Sequence, residues 1–251
     1  MSTVKYYDWS YHQARTRPNK VAVKEVSTGR ETTYGQLEER SCRLASWLQN
    51  KGVKKGDRVA ILIHNCTEVF ELEFACAKIG AIELPLNWRL TKPELEYILN
   101  DSSPEVLIYG SNFADTAKAL TKDCSIKNSL EIDDEDQNNE YEQALKENID
   151  FDVVETTHDD LIMLMYTSGT TGHPKGAMIT HEMQFYNIVN LAGSSRVTDK
   201  TVQLIVLPLF HTGGMNCYAN PILHYGGQIV LMKEFDPGKA LEIIDLSLIH
   251  I

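Results

Sequence analysis

Short, nearly continuous apolar runs recur along this chain, separated by stretches with helical spacing. Asp57-Arg58-Val59-Ala60-Ile61-Leu62-Ile63, Ala81 to Leu86, Glu105-Val106-Leu107-Ile108-Tyr109 and Leu161-Ile162-Met163-Leu164-Met165-Tyr166 are the clearest. A strand with one wet face alternates polar and apolar residues. Runs without alternation therefore predict strands covered on both faces, as in a parallel sheet. Strands alternating with helices imply an α/β fold, with mostly parallel sheets flanked by helices.

The helical stretches carry their own punctuation. Thr33-Tyr34-Gly35-Gln36 reads as a capping box with Thr33 as N-cap, and Gly52 as a stop. A second helix fits Glu68 to Lys78, ended by Gly80. Thr91-Lys92-Pro93-Glu94 opens a third, running to about Asn100. A helix is expected from about Thr180, then a strand from Val202 to Leu207, an apolar segment from Met215 to Leu223, and a strand from Gln228 to Met232. Asp236 and Pro237 open the last helix as N-cap and first helical residue.

Bulk properties narrow the function. With 251 residues, 43% of them hydrophobic, the chain can bury a sizeable core. Its net charge of −11 argues against nucleic acid as a partner, yet leaves room for a local anion site. No run approaches the ~18–20 apolar residues that span a bilayer, and the first residues lack a secretory core. The cysteines Cys42, Cys66, Cys76, Cys124 and Cys217 form no C-x-x-C pair, which fits reduced thiols in a cytoplasmic protein. Cys66 and Cys76 read as small core residues. The acidic stretch from Asp133 to Glu140 has no apolar member and reads as a solvated loop; it lacks the spacing of a calcium site.

The chemistry concentrates in Tyr166-Thr167-Ser168-Gly169-Thr170-Thr171-Gly172-His173-Pro174-Lys175-Gly176, expected between a strand and a helix. Glycines Gly169 and Gly172 let backbone N–H groups approach a ligand and form an anion-binding hollow. The hydroxyls of Thr167, Ser168, Thr170 and Thr171 can donate to phosphate oxygens, and Lys175 adds a mobile cation. A flexible linker would need neither Pro174-Lys175-Gly176 nor a place between two ordered elements. The Walker pattern is not met, because Gly176 follows Lys175 where a Ser or Thr is required.

This run resembles the signature of the adenylate-forming (AMP-binding) superfamily, Y-T-S-G-[ST]-T-G-x-P-K-G, at every position. Pro208-Leu209-Phe210-His211-Thr212-Gly213-Gly214 resembles a second family segment, P-x-[FY]-H-x-x-G. Thr33 to Leu37, Lys55 to Ile61 and Pro85-Leu86-Asn87 resemble its N-terminal region. The resemblance is to acyl-CoA synthetases of the fatty-acid–CoA ligase type. It implies an AMP- and pyrophosphate-forming acid–thiol ligase that takes a carboxylic acid, ATP and coenzyme A through acyl-AMP to acyl-CoA. It further implies that Thr167, Ser168, Gly169, Thr170, Thr171, Gly172 and Lys175 cradle ATP, and that Thr167 touches Mg2+. His211, Gly213 and Gly214 would line the acid pocket, with a core histidine as the other reading of His211.

The family's later motifs are not in this sequence. Residues 1–245 are therefore read as an incomplete N-terminal AMP-binding domain, and residues 246–251 as a tail of doubtful origin. The chain alone is expected to be inactive. A homodimer is compatible with all of this. A non-catalytic nucleotide-binding module, and other adenylating enzymes such as aryl- or succinylbenzoate-CoA ligases, stay open.

Overall fold

Ten strands fall into one six-stranded and one four-stranded sheet in the computed structural model, which describes residues 4–133, 136, 138–146, 150–167 and 173–245. In chain order the first elements are α1 (Trp9–Thr16), β1 (Val21–Glu25), β2 (Glu31–Thr33), α2 (Tyr34–Asn50), β3 (Arg58–Leu62) and α3 (Glu68–Ile79). Next come β4 (Ile82–Pro85), α4 (Lys92–Ser102), β5 (Val106–Gly110), α5 (Ala114–Asp123), β6 (Asn128–Ile132) and α6 (Glu140–Ala144). The remainder are β7 (Leu161–Thr167), β8 (Lys175–Thr180), α7 (His181–Ser195), β9 (Val202–Ile205), α8 (Asn220–His224), β10 (Gln228–Leu231) and α9 (Pro237–Asp245). The chain divides into two units. One comprises Met1–Tyr6, Arg40–Ile63 and Leu72–His181; the other comprises Tyr7–Glu39, His64–Glu71 and Glu182–Ile251.

The first unit holds the six-stranded sheet, in the order β6-β5-β3-β4-β7-β8. All neighbours are parallel except β7 and β8. The apolar runs become β3, β4 and β5, and every residue of β4 and β5 is buried. Ala60, Leu62, Leu84 and Leu107 from these strands pack with Leu95, Ile98 and Leu99 of α4 and with Ala117 and Leu120 of α5. The capping boxes form as read. Gln36 N–H donates to the Thr33 hydroxyl (3.2 Å) while Thr33 N–H donates to Gln36 Oε1 (2.9 Å). Thr91 N–H donates to Glu94 Oε2 at 2.7 Å.

The second unit holds the four-stranded sheet, β2-β1-β10-β9, parallel except for the β1–β2 hairpin. Its ionic centre is Arg30, whose guanidinium donates to Glu68 Oε1 (2.6 Å) and to Glu25 Oε1 (2.5 Å). Glu25 Oε1 also accepts from the N–H and hydroxyl of Thr67, at 2.9 and 2.7 Å, just ahead of α3. A carboxylate there satisfies donors that the helix start leaves open and opposes the positive helix end. Asp236 caps α9 as expected, accepting from Lys239 N–H at 2.9 Å.

The structure departs from the sequence reading in one place that matters. Helix α7 does begin at His181, but strand β8 stands between it and the Thr167–Lys175 bend. The bend therefore closes an antiparallel hairpin and does not open a helix. Strand β8 is hard to see in sequence because it lies at the sheet rim, with Lys175, Ala177 and Met178 all exposed, so no apolar run marks it. Elements α1, β1, β2, α5, β6 and α6 are further elements of the fold beyond those expected from the sequence. Within the acidic stretch, Asn139 caps α6 by accepting from Glu142 N–H at 2.9 Å; positions 134, 135 and 137 lie outside the described residues, as does the 246–251 tail. Cys66 and Cys76 are buried, as the apolar surroundings predict.

Two buried ionisable groups make folding pH-dependent. Glu83 of β4 is fully buried, and neither carboxyl oxygen has a hydrogen-bond partner among the described residues. Burial, and then the neighbouring Glu73, push its pKa well up. A raised carboxyl contributes least as the pH climbs past its ordinary value, because the buried form must stay neutral. Glu83→Met, similar in length, should thus raise stability at neutral pH by about 1–3 kcal/mol. The gain should grow between pH 5 and 8 in chemical denaturation. His181 is the opposite case. Both its ring nitrogens are buried without hydrogen-bond partners among the described residues, and burial lowers its pKa to about 4 from 6.5. The unfolded chain takes up that proton first, so stability is complete above pH 6.5 and falls as the pH drops toward 4. The loss is on the order of 3 kcal/mol. His181→Phe, which keeps a ring against Tyr6 (4.2 Å between centroids in the parent), should flatten that acid limb.

Candidate functional site

Strands β7 and β8 pair from Leu161↔Thr180 up to Thr167↔Lys175. The last rung thus sets the first and the last of the predicted phosphate contacts across from each other. Thr167 and Lys175 are both exposed, and Lys175 forms no ion pair with any described residue. Ser168, Gly169, Thr170, Thr171 and Gly172 lie outside the described residues. Just inside the last rung, Tyr166 faces Gly176. A Cβ on Gly176 would stand 2.8 Å from Leu164 Cδ1 and 3.2 Å from Tyr166 Cζ. Glycine at this position therefore lets the tyrosine ring lie over the neighbouring strand.

Helix α4 touches both stems of the bend. Tyr166 Oη donates to Asp101 Oδ2, and the phenol is held protonated, first by burial and then by that carboxylate. His173, for which the sequence suggested no partner, stacks on Tyr97 with ring centroids 4.9 Å apart and planes 22° apart. Tyr97 and Asp101 are four residues apart on one helix, hence on one face. Only that spacing could have signalled them, and it acquires meaning once α4 is placed beside the hairpin.

The second predicted group lies in the other unit. After β9 the chain turns through Pro208 to Gly214 and enters a π-helical turn over Gly213–Ala219, which leads into α8. Such turns recur at functional sites. The segment is fixed by Asn65, which sequence reasoning missed. Its Nδ2 donates to the carbonyls of Leu207 and Met232, each at 3.0 Å, and its Oδ1 accepts from Leu209 N–H at 2.9 Å. His211 is exposed, which removes the core-histidine reading. Gly213 N–H donates to His211 Nδ1 at 3.0 Å. An accepting Nδ1 places the proton of the neutral ring on Nε2. Gly214 has a reason of its own: a Cβ there would lie 2.3 Å from the Pro208 carbonyl oxygen. Its missing side chain is thus already required by the packing of the turn.

No group of three or more His, Cys, Asp or Glu is arranged to hold a metal among the described residues. The Thr167 hydroxyl, exposed at the strand end, is compatible with a metal that arrives on a nucleotide's phosphates. No helix among the described residues is long and apolar enough to cross a membrane.

The profile of the AMP-binding enzyme family matches residues 10–249. The chain belongs to that family. A feruloyl-CoA synthase from Amycolatopsis sp is 37% identical over 237 residues, 94% of this chain and 46% of that protein. The long-chain-fatty-acid–CoA ligase FadD13 of Mycobacterium tuberculosis (strain ATCC 25618 / H37Rv) is 34% identical over 242 residues, 96% of this chain and 48% of that one. Among solved structures, the inhibitor-bound N-terminal domain of FACL13 from Mycobacterium tuberculosis superposes with a TM-score of 0.88 at 32% identity, covering 98% of this chain and 62% of that one. ATP-bound MatB from Rhodopseudomonas palustris gives 0.85 at 27% identity, covering 96% and 48%. The chain spans about half the length of the curated relatives it matches.

The Asn65 clamp generates a prediction. Asn65→Ala leaves two carbonyls and one N–H without their partner, at a cost of about 1–3 kcal/mol. Denaturant unfolding should register that loss. Hydrogen exchange should show the Leu209 amide losing protection more than amides of β10.

Proposed function

We propose that this chain is the nucleotide-binding N-terminal part of an acid–thiol ligase. The enzyme would activate an apolar carboxylic acid with ATP, through acyl-AMP and pyrophosphate, and pass the acyl group to coenzyme A. The observation that carries this reading is the hairpin end at Thr167↔Lys175, where an exposed lysine, unpaired among the described residues, stands across from a hydroxyl. Family membership supports it, as does the likeness to an ATP-bound structure.

In this reading the bend surrounds the β- and γ-phosphates. Backbone N–H groups at Gly169 and Gly172, and the hydroxyls of Thr167, Ser168, Thr170 and Thr171, donate to phosphate oxygens while Lys175 offsets their charge. When bound, Mg2+ neutralises charge on the departing pyrophosphate, and Thr167 is the residue placed to touch it. Fixed donors count most where negative charge accumulates in the transition state. His211, Gly213 and Gly214 form the acid-side group. With Nδ1 occupied by Gly213 N–H, His211 offers Nε2–H as a donor toward an acyl or phosphoryl oxygen.

The acid class is read from the relatives. Their names specify feruloyl, long-chain fatty and indoleacetate substrates, which share a carboxylate on an apolar body. Pyrophosphate release measured on the full-length gene product, with a panel of aliphatic and aromatic acids, tests the proposal. Activity with at least one apolar acid is expected. Lys175→Ala should lower kcat/KM for ATP by about 100-fold. Turnover untouched by that substitution would remove the basis of the reading.

A further inference from the structure

The π-helical turn over Gly213–Ala219 carries a buried carboxamide, that of Asn216, which is 4% exposed. Its Oδ1 accepts from Gln184 Nε2 of α7 at 3.4 Å and from Asn220 Nδ2 of α8 at 3.3 Å. Its Nδ2 donates to the Thr212 hydroxyl at 3.4 Å. Its main-chain carbonyl accepts from Asn187 Nδ2 at 2.7 Å. Gln184 and Asn187 are three residues apart and so share one face of α7. Gln184 and Asn220 are buried as well. All of these residues belong to the second unit. A buried polar group is costly unless bonded, and an apolar side chain would fill the same space without that cost. What a satisfied network of carboxamides adds is direction, since each bond tolerates a narrow range of geometry.

The network ends beside His211. Thr212, whose hydroxyl accepts from Asn216, stands between His211 and Gly213. Gly213 N–H donates to His211 Nδ1 at 3.0 Å, and Met215 N–H donates to the His211 carbonyl at 3.1 Å. The His211 ring is exposed, so its direction depends on these bonds and on the backbone that carries them. We propose that Asn216 is a positioning residue for His211: by holding Thr212 and the π turn against α7 and α8, it sets the direction in which the ring presents Nε2–H. This rests on the acid-side reading of His211 given above and deepens it. Asn216 is buried and need not touch the acid. Its loss lets the turn populate other arrangements, so only a fraction of the molecules presents Nε2–H where an acyl or phosphoryl oxygen would accept it. A donor acts on developing charge only when it is fixed in place beforehand. The predicted ATP contacts belong to the first unit, so the effect falls on the acid and not on ATP.

The test measures pyrophosphate release from Mg-ATP by the full-length gene product, with ferulate, a long-chain fatty acid and indoleacetate as the acids. Asn216→Ala removes the hub; Thr212→Val removes the hydroxyl at nearly constant shape; Thr212→Ser keeps it. Asn216→Ala should lower kcat/KM for the acid by about tenfold, and Thr212→Val by about threefold. Thr212→Ser should restore most of the parent value. KM for ATP should stay at the parent value throughout, which a general loss of fold would not allow. The deciding measurement is a double-mutant cycle with His211→Ala. If Asn216 acts through His211, Asn216→Ala should cost nothing further once the imidazole is gone. Parent-like kcat/KM in Asn216→Ala or in Thr212→Val, or a loss that is undiminished in the His211→Ala background, overturns the positioning role. If Asn216→Ala does not fold, Thr212→Val and its cycle with His211→Ala decide. The acid-side reading survives that failure so long as His211→Ala itself is impaired. Parent-like turnover in His211→Ala overturns that reading, and the positioning role with it. Absence of turnover with all three acids overturns the ligase reading and this inference together.

Discussion

Burial of β3, β4 and β5 on both faces is the constraint from which the first unit follows. A covered strand cannot turn its N–H and C=O groups to water, so each must find them partners in neighbouring strands. Val59 therefore lies between Glu83 on one side and Val106 on the other, in unbroken parallel register. Satisfying those groups fills the interior of the sheet and leaves its rims, β6 and β8, as the places where the backbone is free to leave the ladder. The proposed phosphate bend starts and ends at such a rim, where Thr167 and Lys175 form the last rung of the β7–β8 pair.

The second unit solves its problem with charge. The β1–β2 hairpin is short, and β2 has only three residues, too few to hold by ladder bonds alone. Arg30 compensates by binding two carboxylates at once, Glu25 beneath it and Glu68 at the start of α3. Glu68 is almost fully buried, and its ion pair with Arg30 offsets part of the cost of burying that charge. Asn65 does similar work elsewhere in the unit, using amide chemistry to fix the turn that carries His211. In both cases a polar side chain ties together backbone segments far apart in sequence, and Asn65 ties the segment that carries His211.

Legibility in the sequence follows from physics. The strands buried on both faces were readable because short, nearly continuous apolar runs between capped helical stretches suit strands of a parallel sheet. Capped helices were readable because Thr33 and Thr91 need their Gln and Glu partners three residues on. The bend itself stood out through its glycines and hydroxyls. What escaped notice was long-range or marginal. Strand β8 is exposed and lacks alternation, so neither periodicity marks it. Strand β6, Asn128-Ser129-Leu130-Glu131-Ile132, looks like a loop until β5 supplies its ladder. Asn65, Tyr97 and Asp101 are ordinary residues locally, and they gain roles only from partners that lie between 65 and 167 residues away along the chain. In the sequence Gly214 reads as room for a ligand, whereas in the fold the Pro208 carbonyl already requires its bareness.

One rim has a consequence for assembly. On its outer side β8 has no described neighbour, and Met178 of this strand is 64% exposed. A backbone edge of this kind is a template: any polypeptide of extended conformation can continue the sheet by lying along it. The sheet is in this sense unfinished at the strand that also carries Lys175. Polypeptide added along that edge would give β8 a second neighbour and turn an edge strand into an interior one.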